Sequence, residues 1–179
     1  AAARCRRPLV THEQTVRVGL TNRLLARRAA AVAVSSESTV SLLSTRVRGR
    51  VTVTGNPVRP DVLHGHADKA IDALGLHGFD RSRPTVYVTG GAQGSVQINS
   101  LVGEILPWLL ERANVIHQVG ATNVKDTADR ARSLDPEQQG RYLVTAFMGS
   151  ELPDVLALAD VVISRSGAGT IAELTALGK

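Results

Sequence analysis

Short apolar runs punctuate the chain: PLV at 8–10, AVAV at 31–34, RVTVTG at 50–55, TVYVTG at 85–90, NVIHQVG at 114–120, YLVTAF at 142–147 and DVVIS at 160–164. Between them apolar residues recur at steps of three and four. Brief valine- and isoleucine-rich runs read as strands and the intervening spacing as helices, so the pattern predicts strands alternating with helices. The runs are apolar at successive positions, as a parallel sheet covered on both faces requires. The expected fold class is α/β, a doubly wound parallel sheet of the Rossmann-like kind. In the helix after TVYVTGG, the spacing turns Ile98, Leu101, Val102, Ile105 and Leu109 toward the sheet, and Pro107 is expected to end or bend that helix near Trp108.

In such a sheet each strand's carboxyl end meets a helix amino end, where unpaired N–H groups favour anions. The segment TVYVTGGAQGSVQIN is one such joint. Gly90 and Gly91 allow a sharp turn and close approach of a ligand, and Gly94 opens the following helix toward a phosphate, although a tight turn without a ligand also favours glycine. DVVISRSGAGTIAEL is a second joint. Its GAGTIA matches the GxGxxA dinucleotide fingerprint, which suggests an NAD-binding oxidoreductase, but the acidic residue wanted about 20 positions later would fall beyond Lys179. Thr170 and Glu173 also form a T-x-x-E capping box. VTGNPVRPDV reads as a hinge, with Arg59 between two prolines and a helical pattern resuming near Ala67. His12, Glu13 and Gln14 follow the first apolar run, either as acid–base machinery or as a hydrogen-bonded brace.

Composition narrows this only in places. At 179 residues and 43% hydrophobic, the chain holds one domain, or one and part of another. No apolar stretch reaches the roughly 18 residues of a membrane span, and the opening AAARCRR does not resemble a signal peptide. Cys5 is the lone cysteine, so neither an internal disulfide nor a structural zinc site is expected, and a reducing cytoplasmic setting fits. Charge is the more informative property. Through Arg50 there are ten arginines against Glu13 and Glu37, a balance of +8 that leaves −3 for the rest of a chain of net charge +5. Such a surface can meet anionic lipid, nucleic acid or a diphosphate, and nucleic acid is the weakest of the three because no aromatic residues interleave with the arginines.

Four segments, THEQTVRVGLTNRLLAR, VTGNPVR, VTGGAQGSVQIN and ADVVISRSGAGTIAEL, in this order and at this spacing resemble the MurG family of UDP-GlcNAc-dependent transferases of peptidoglycan synthesis. The likeness runs from His12 to Lys179 and covers about the middle half of a family member; the acceptor-side glycine-rich motif would lie upstream and a Gln-bearing donor segment downstream. The resemblance implies a two-domain GT-B architecture, with residues 1–56 closing the acceptor-binding domain and 57–179 forming most of the donor domain. It places Arg59 and the backbone of Met148 at the uracil, with Gly91, Ala92, Gln93 and Gly94 near the diphosphate or sugar. Ala168, Gly169, Thr170, Ile171, Ala172 and Glu173 would lie at the diphosphate and ribose, with Glu173 accepting from ribose hydroxyls.

The implied reaction is inverting displacement at the anomeric carbon of UDP-GlcNAc by an undecaprenyl-diphosphate-linked muramoyl-peptide acceptor, converting lipid I to lipid II. Helix amino ends would stabilise the leaving diphosphate, with no metal and no cofactor. No catalytic residue is assigned within the chain, because the family's general base is sought upstream. The implied setting is peripheral, on the inner face of the plasma membrane, where the basic first third meets an anionic surface. Two departures bear on the donor. The family's HEQN is HEQT here, so Thr15 replaces an amide, and its GGSQG is GGAQG, so Ala92 lacks a hydroxyl. Each lost hydrogen bond costs about 0.5–1.5 kcal/mol. A paralogue using another donor or acceptor, and a non-catalytic nucleotide-sugar-binding protein, therefore stay open.

Overall fold

A computed structural model describes Cys5 and residues 7–179. The rest of the opening AAARCRR, including two of its arginines, lies outside the described residues. The chain divides into two compact units: residues up to Val58 with Gly167–Ala172, and Arg59–Ser166 with Glu173–Lys179.

The first unit is built on three parallel strands, β1 (Val10–Glu13), β2 (Ala31–Val34) and β3 (Val51–Val53), side by side in that order. Helix α1 (Leu20–Ala26) joins β1 to β2, and the short helices α2 (Glu37–Ser41) and α3 (Thr45–Arg48) join β2 to β3. Ala26, Ala29, Val32, Val34, Leu43 and Val47 are buried in its core. The first strand lies two residues later than PLV suggests, so His12 and Glu13 stand within it rather than after it. In β1 and β2 burial alternates along the strand, contrary to the continuous burial expected for every strand.

The second unit follows the doubly wound pattern. Its four parallel strands are β4 (Thr85–Thr89), β5 (Asn114–Gln118), β6 (Tyr142–Thr145) and β7 (Val161–Ser164), in spatial order β6-β5-β4-β7. The central strands are buried on both faces because each face has its own core. On one side Tyr87 and Ile116 pack with Ala70 of α4 (Ala67–Leu74) and with Val155 and Leu156 of α8 (Leu152–Leu158). On the other, Val86, Val88 and Val115 pack against Val102, Leu106, Leu109 and Leu110 of α5 (Val96–Leu110). A 3-10 turn at Pro60–His64 precedes α4, α6 (Val124–Ala131) and α7 (Pro136–Gly140) follow β5, and α9 (Ala168–Leu177) follows β7.

The structure corrects one expectation about α5 and narrows another. Leu101 and Ile105 are exposed, at 55% and 45%, while Leu106 and Leu110 take the sheet-facing positions. The helix also runs through Pro107 to Leu110. The residue four before this proline is Gly103, whose carbonyl is the one a proline ring crowds and deprives of a donor.

Among the described residues no helix is long and apolar enough to cross a membrane, and no cluster of His, Cys, Asp and Glu is suited to hold a metal ion.

Candidate functional site

The carboxyl edge of the second sheet gathers most of the chemistry. At the β4–α5 joint the chain turns in a Gly91–Gly94 loop, closed by the Gly94 amide donating to the Gly91 carbonyl at 2.9 Å. Gly91 and Gly94 have φ of +85° and +75°, a region that residues with a Cβ rarely adopt. The loop is also packed against the next crossover: a Cβ at Gly94 would meet the Val119 carbonyl oxygen at 2.1 Å, and one at Gly90 the Ser95 amide at 2.2 Å. Ala92 and Gln93 stand exposed at its tip. Gly94 does not open the helix directly, because Ser95 is the N-cap, with its hydroxyl accepting from the Ile98 amide at 3.5 Å.

Gln118, the last residue of β5, escaped sequence reasoning and is the hub of this edge. It is buried, and its Nε2 donates to the Gly91 carbonyl at 2.9 Å. Its Oε1 accepts from the Met148 amide at 2.9 Å and from the Tyr87 hydroxyl at 3.1 Å. One carboxamide thus ties the glycine loop to the loop after β6. The Met148 N–H is consequently occupied within the protein and Met148 itself is buried, so of its two backbone polar groups only the carbonyl stays available to a ligand. A glutamine inside the apolar run NVIHQVG was the available signal: a polar residue there must find buried partners.

His117 beside it is also internal. Its Nδ1 lies 3.0 Å from the Tyr142 hydroxyl and its Nε2 3.2 Å from Asn99 Oδ1, while Asn99 Nδ2 donates to the Val119 carbonyl at 2.9 Å. With the Asn99 amide so directed, the ring carries its proton on Nε2 and accepts from the tyrosine. Burial lowers the His117 pKa to about 4, so the ring is neutral at physiological pH.

Strand β7 lies beside β4, with Ser164 in register with Thr89, so the segment leaving β7 starts at the same edge as the glycine loop. Arg165 is the first residue of that segment, and its guanidinium stands where a Cβ on Gly91 would come within 2.9 Å of Nη2. Arg165 forms no ion pair with the described residues. It is a second feature sequence reading passed over, inside a motif read for its glycines.

Helix α9 begins at Ala168, and its first internal donor is Ile171, bonded to the Gly167 carbonyl at 2.9 Å. The amides of Ala168, Gly169 and Thr170 therefore precede the helical ladder and point outward from its amino end. Thr170 is the third residue of the helix rather than its N-cap, which corrects the capping-box reading. Glu173 instead accepts from Arg59 Nε at 2.8 Å, and this hydrogen bond raises the arginine's pKa further. Arg59 and Glu173 are thus brought together, the arginine half exposed.

In the first unit, Glu13 serves as a brace. Burial pushes its carboxyl up, but donors from Gly19 N at 2.8 Å, Asn22 Nδ2 at 3.1 Å, and Thr15 N and Oγ1 at 3.1 and 2.9 Å hold it below the ordinary carboxylate range. The Thr15 hydroxyl donates within the loop, also approaching the Arg17 carbonyl at 2.7 Å. His12 Nε2 lies 3.1 Å from the Gly55 carbonyl, so that nitrogen carries the proton and is engaged in a structural contact.

Known proteins carry the same architecture. The family of glycosyltransferase family 28 C-terminal domains matches residues 85–179. A UDP-N-acetylglucosamine–N-acetylmuramyl-(pentapeptide) pyrophosphoryl-undecaprenol N-acetylglucosamine transferase of Treponema pallidum is 35% identical over 179 residues, covering 100% of this chain and 46% of its own length. Its namesake in Treponema denticola is 33% identical over 175 residues, covering 96% and 44%. The chain thus spans less than half the length of these relatives. The crystal structure of Acinetobacter baumannii MurG shares the fold, with a TM-score of 0.60 at 20% identity, covering 99% of this chain and 45% of that one. Anabaena HepE, solved in complex with UDP and glucose, gives 0.52 at 16% identity, covering 99% and 53%. The GAGTIA joint, read alone as a dinucleotide fingerprint, falls inside the matched domain, and the chain belongs to glycosyltransferase family 28.

Proposed function

We propose that the protein containing this chain is an inverting glycosyltransferase that moves GlcNAc from UDP-GlcNAc to a lipid-diphosphate-linked muramoyl peptide, as the names of its relatives describe for those proteins. Residues 57–179 supply donor recognition and residues 1–56 close the acceptor domain. The observation that carries this reading is the edge where β4 and β7 end side by side: a glycine loop held open by Gln118, with Arg165 beside it. Backbone amides set in place before the reaction stabilise a leaving diphosphate without reorganising as its charge grows, and the exposed Arg165 guanidinium adds positive charge beside them. Gly91, Ala92, Gln93 and Gly94 are assigned to the diphosphate and sugar, the Met148 backbone and Arg59 to the uracil, and Ala168, Gly169, Thr170, Ile171, Ala172 and Glu173 to the diphosphate and ribose. In this reading the Arg59–Glu173 pair opens or shares its hydrogen bonds as donor enters. Thr15 is assigned to the donor sugar. The setting is the inner face of the plasma membrane, held by charge on the basic first third.

Titration of the full-length protein with UDP-GlcNAc and UDP-GalNAc tests the assignment. Saturable binding of the first, weakened about tenfold (about 1.4 kcal/mol) in Arg59→Ala, is expected, with the fold intact because a half-exposed ion pair contributes at most about 1 kcal/mol. Indifference of the native protein to both nucleotides would end the proposal.

A further inference from the structure

We propose that the second unit carries, between α5 and α6, a binding site for an α-amino acid with an apolar side chain, Asp126 taking its ammonium group and Arg130 its carboxylate. The two helices pack over β5 and β6 and leave between them a cavity of about 480 Å3, within the roughly 300–1,000 Å3 of small-ligand clefts. No residue of α6 is fully buried. His117 and Tyr142, buried and bonded to each other at 3.0 Å, form the inner wall of the cavity. None of the residues assigned to the UDP-sugar lines it, so this site is separate from donor chemistry.

The chemistry of the two walls sets the ligand class. Asp126 and Arg130 both line the cavity, one turn apart on α6, a spacing at which opposite charges on a helix ordinarily pair. Among the described residues neither forms an ion pair. Asp129 and Arg132, on the same stretch of chain but outside the cavity lining, do pair. The unpaired couple thus offers one anion and one cation to a single hollow, and a zwitterion answers both with charge-assisted hydrogen bonds. The facing wall, on α5, contains two poor helix formers, Gly103 and Pro107. A Cβ at Gly103 would meet nothing within 4 Å. Pro107 has no N–H to give the Gly103 carbonyl, which leaves an acceptor beside the cavity for a second ammonium proton. Val96, Leu106 and Leu134 add apolar lining, and Val96 is 73% exposed, with no place in the core. Asp126 disfavours a phosphate here and Arg130 a simple cation, because each would repel its like charge.

The test is titration calorimetry of the full-length protein with L-alanine, L-leucine and L-phenylalanine, with no nucleotide present, so that it does not depend on the donor assignment. Saturable binding of at least one is expected. Replacing the tightest of them by its deaminated acid, or by its amino alcohol, should weaken binding at least tenfold, since each analogue lacks one of the two charges. Asp126→Asn and Arg130→Gln alter exposed side chains and should melt as the native protein does, yet each should also lose at least tenfold. Gly103→Leu puts a helix-favouring side chain into the open space, so it should melt no lower than the native protein while binding is lost. The control Asp129→Asn/Arg132→Gln removes the same charges beyond the cavity and should bind like the native protein. The proposal is overturned if the native protein binds none of the three amino acids, or if either analogue binds as tightly as its parent. It is equally overturned if Asp126→Asn, Arg130→Gln or Gly103→Leu keeps native affinity, or if the control loses as much as they do.

Discussion

The two glycine-bearing joints of the second sheet look alike in sequence and differ in what the fold asks of them. At the β4–α5 joint each glycine is required by the backbone: Gly91 and Gly94 lie at positive φ, and Gly90 has the Ser95 amide where its Cβ would be. At the β7–α9 joint neither is required. Gly167 would place a Cβ no closer than 3.7 Å to the Thr170 hydroxyl, Gly169 would meet nothing within 4 Å, and neither has a positive φ. One joint spends its glycines on its own shape. The other leaves open space at a helix amino end, where glycine is a poor helix former and needs some other reason to be present. The proposed donor assignment supplies one, close approach of a ligand to that backbone.

Gly94→Ala should show the largest effect. It forces a Cβ into left-handed backbone, at about 1–2 kcal/mol, and into the Val119 carbonyl at 2.1 Å, a backbone atom that cannot rotate away. A combined loss of about 4 kcal/mol or more is expected, a large share of the roughly 5–15 kcal/mol that holds a domain together. Urea unfolding reads it directly. A loss below about 1 kcal/mol would mean that the loop relaxes, and the contrast between the joints would lose its rigid half.

Gln118→Leu comes next. It strands the buried Met148 amide and Tyr87 hydroxyl at about 1–3 kcal/mol for a buried unpaired group, so a loss of about 3 kcal/mol is expected. Gln118→Glu keeps both acceptor contacts and turns the donor to Gly91 into a carboxylate oxygen that repels the Gly91 carbonyl. Hydrogen exchange separates a local from a general role: the Met148 amide should exchange faster in the leucine variant and stay protected in the glutamate variant. Equal acceleration in both would show that the carboxamide acts on the whole sheet rather than on the two loops it joins.

These contrasts also mark what was legible in the sequence. Six of the seven strands among the described residues fall within their apolar runs, because valine-rich strands between helical spacings admit few other readings. The phase of α5 was not legible, since Leu101, Ile105 and Trp108 make an apolar stripe beside the one that is buried. Spacing alone cannot rank two adjacent stripes. The packing of Gly94 against Val119, with Ser95 as N-cap, sets which of them meets the sheet. The glycine loop was legible as a turn, but the bonds that hold it were not, because Gln118 reaches partners 27 to 31 positions away in sequence. The exchange of a capping box for an Arg59–Glu173 pair has the same origin, since its members are 114 residues apart.

The smallest expected effect is the one that decides the comparison. Gly169→Ala meets no atom within 4 Å and replaces glycine in the first turn of α9, so it should stabilise the protein by about 0.5–1 kcal/mol. If the open space exists only because nothing selects against glycine, UDP-GlcNAc affinity will be unchanged. If the backbone of Gly169 is approached by diphosphate or ribose, a methyl group there displaces the ligand by a fraction of an ångström and the affinity should fall about tenfold, or about 1.4 kcal/mol. The two readouts move in opposite directions only in the second case. A more stable protein with weaker donor binding therefore separates a glycine kept for a ligand from one kept for a turn, and a more stable protein with native affinity removes Gly169 from the donor site.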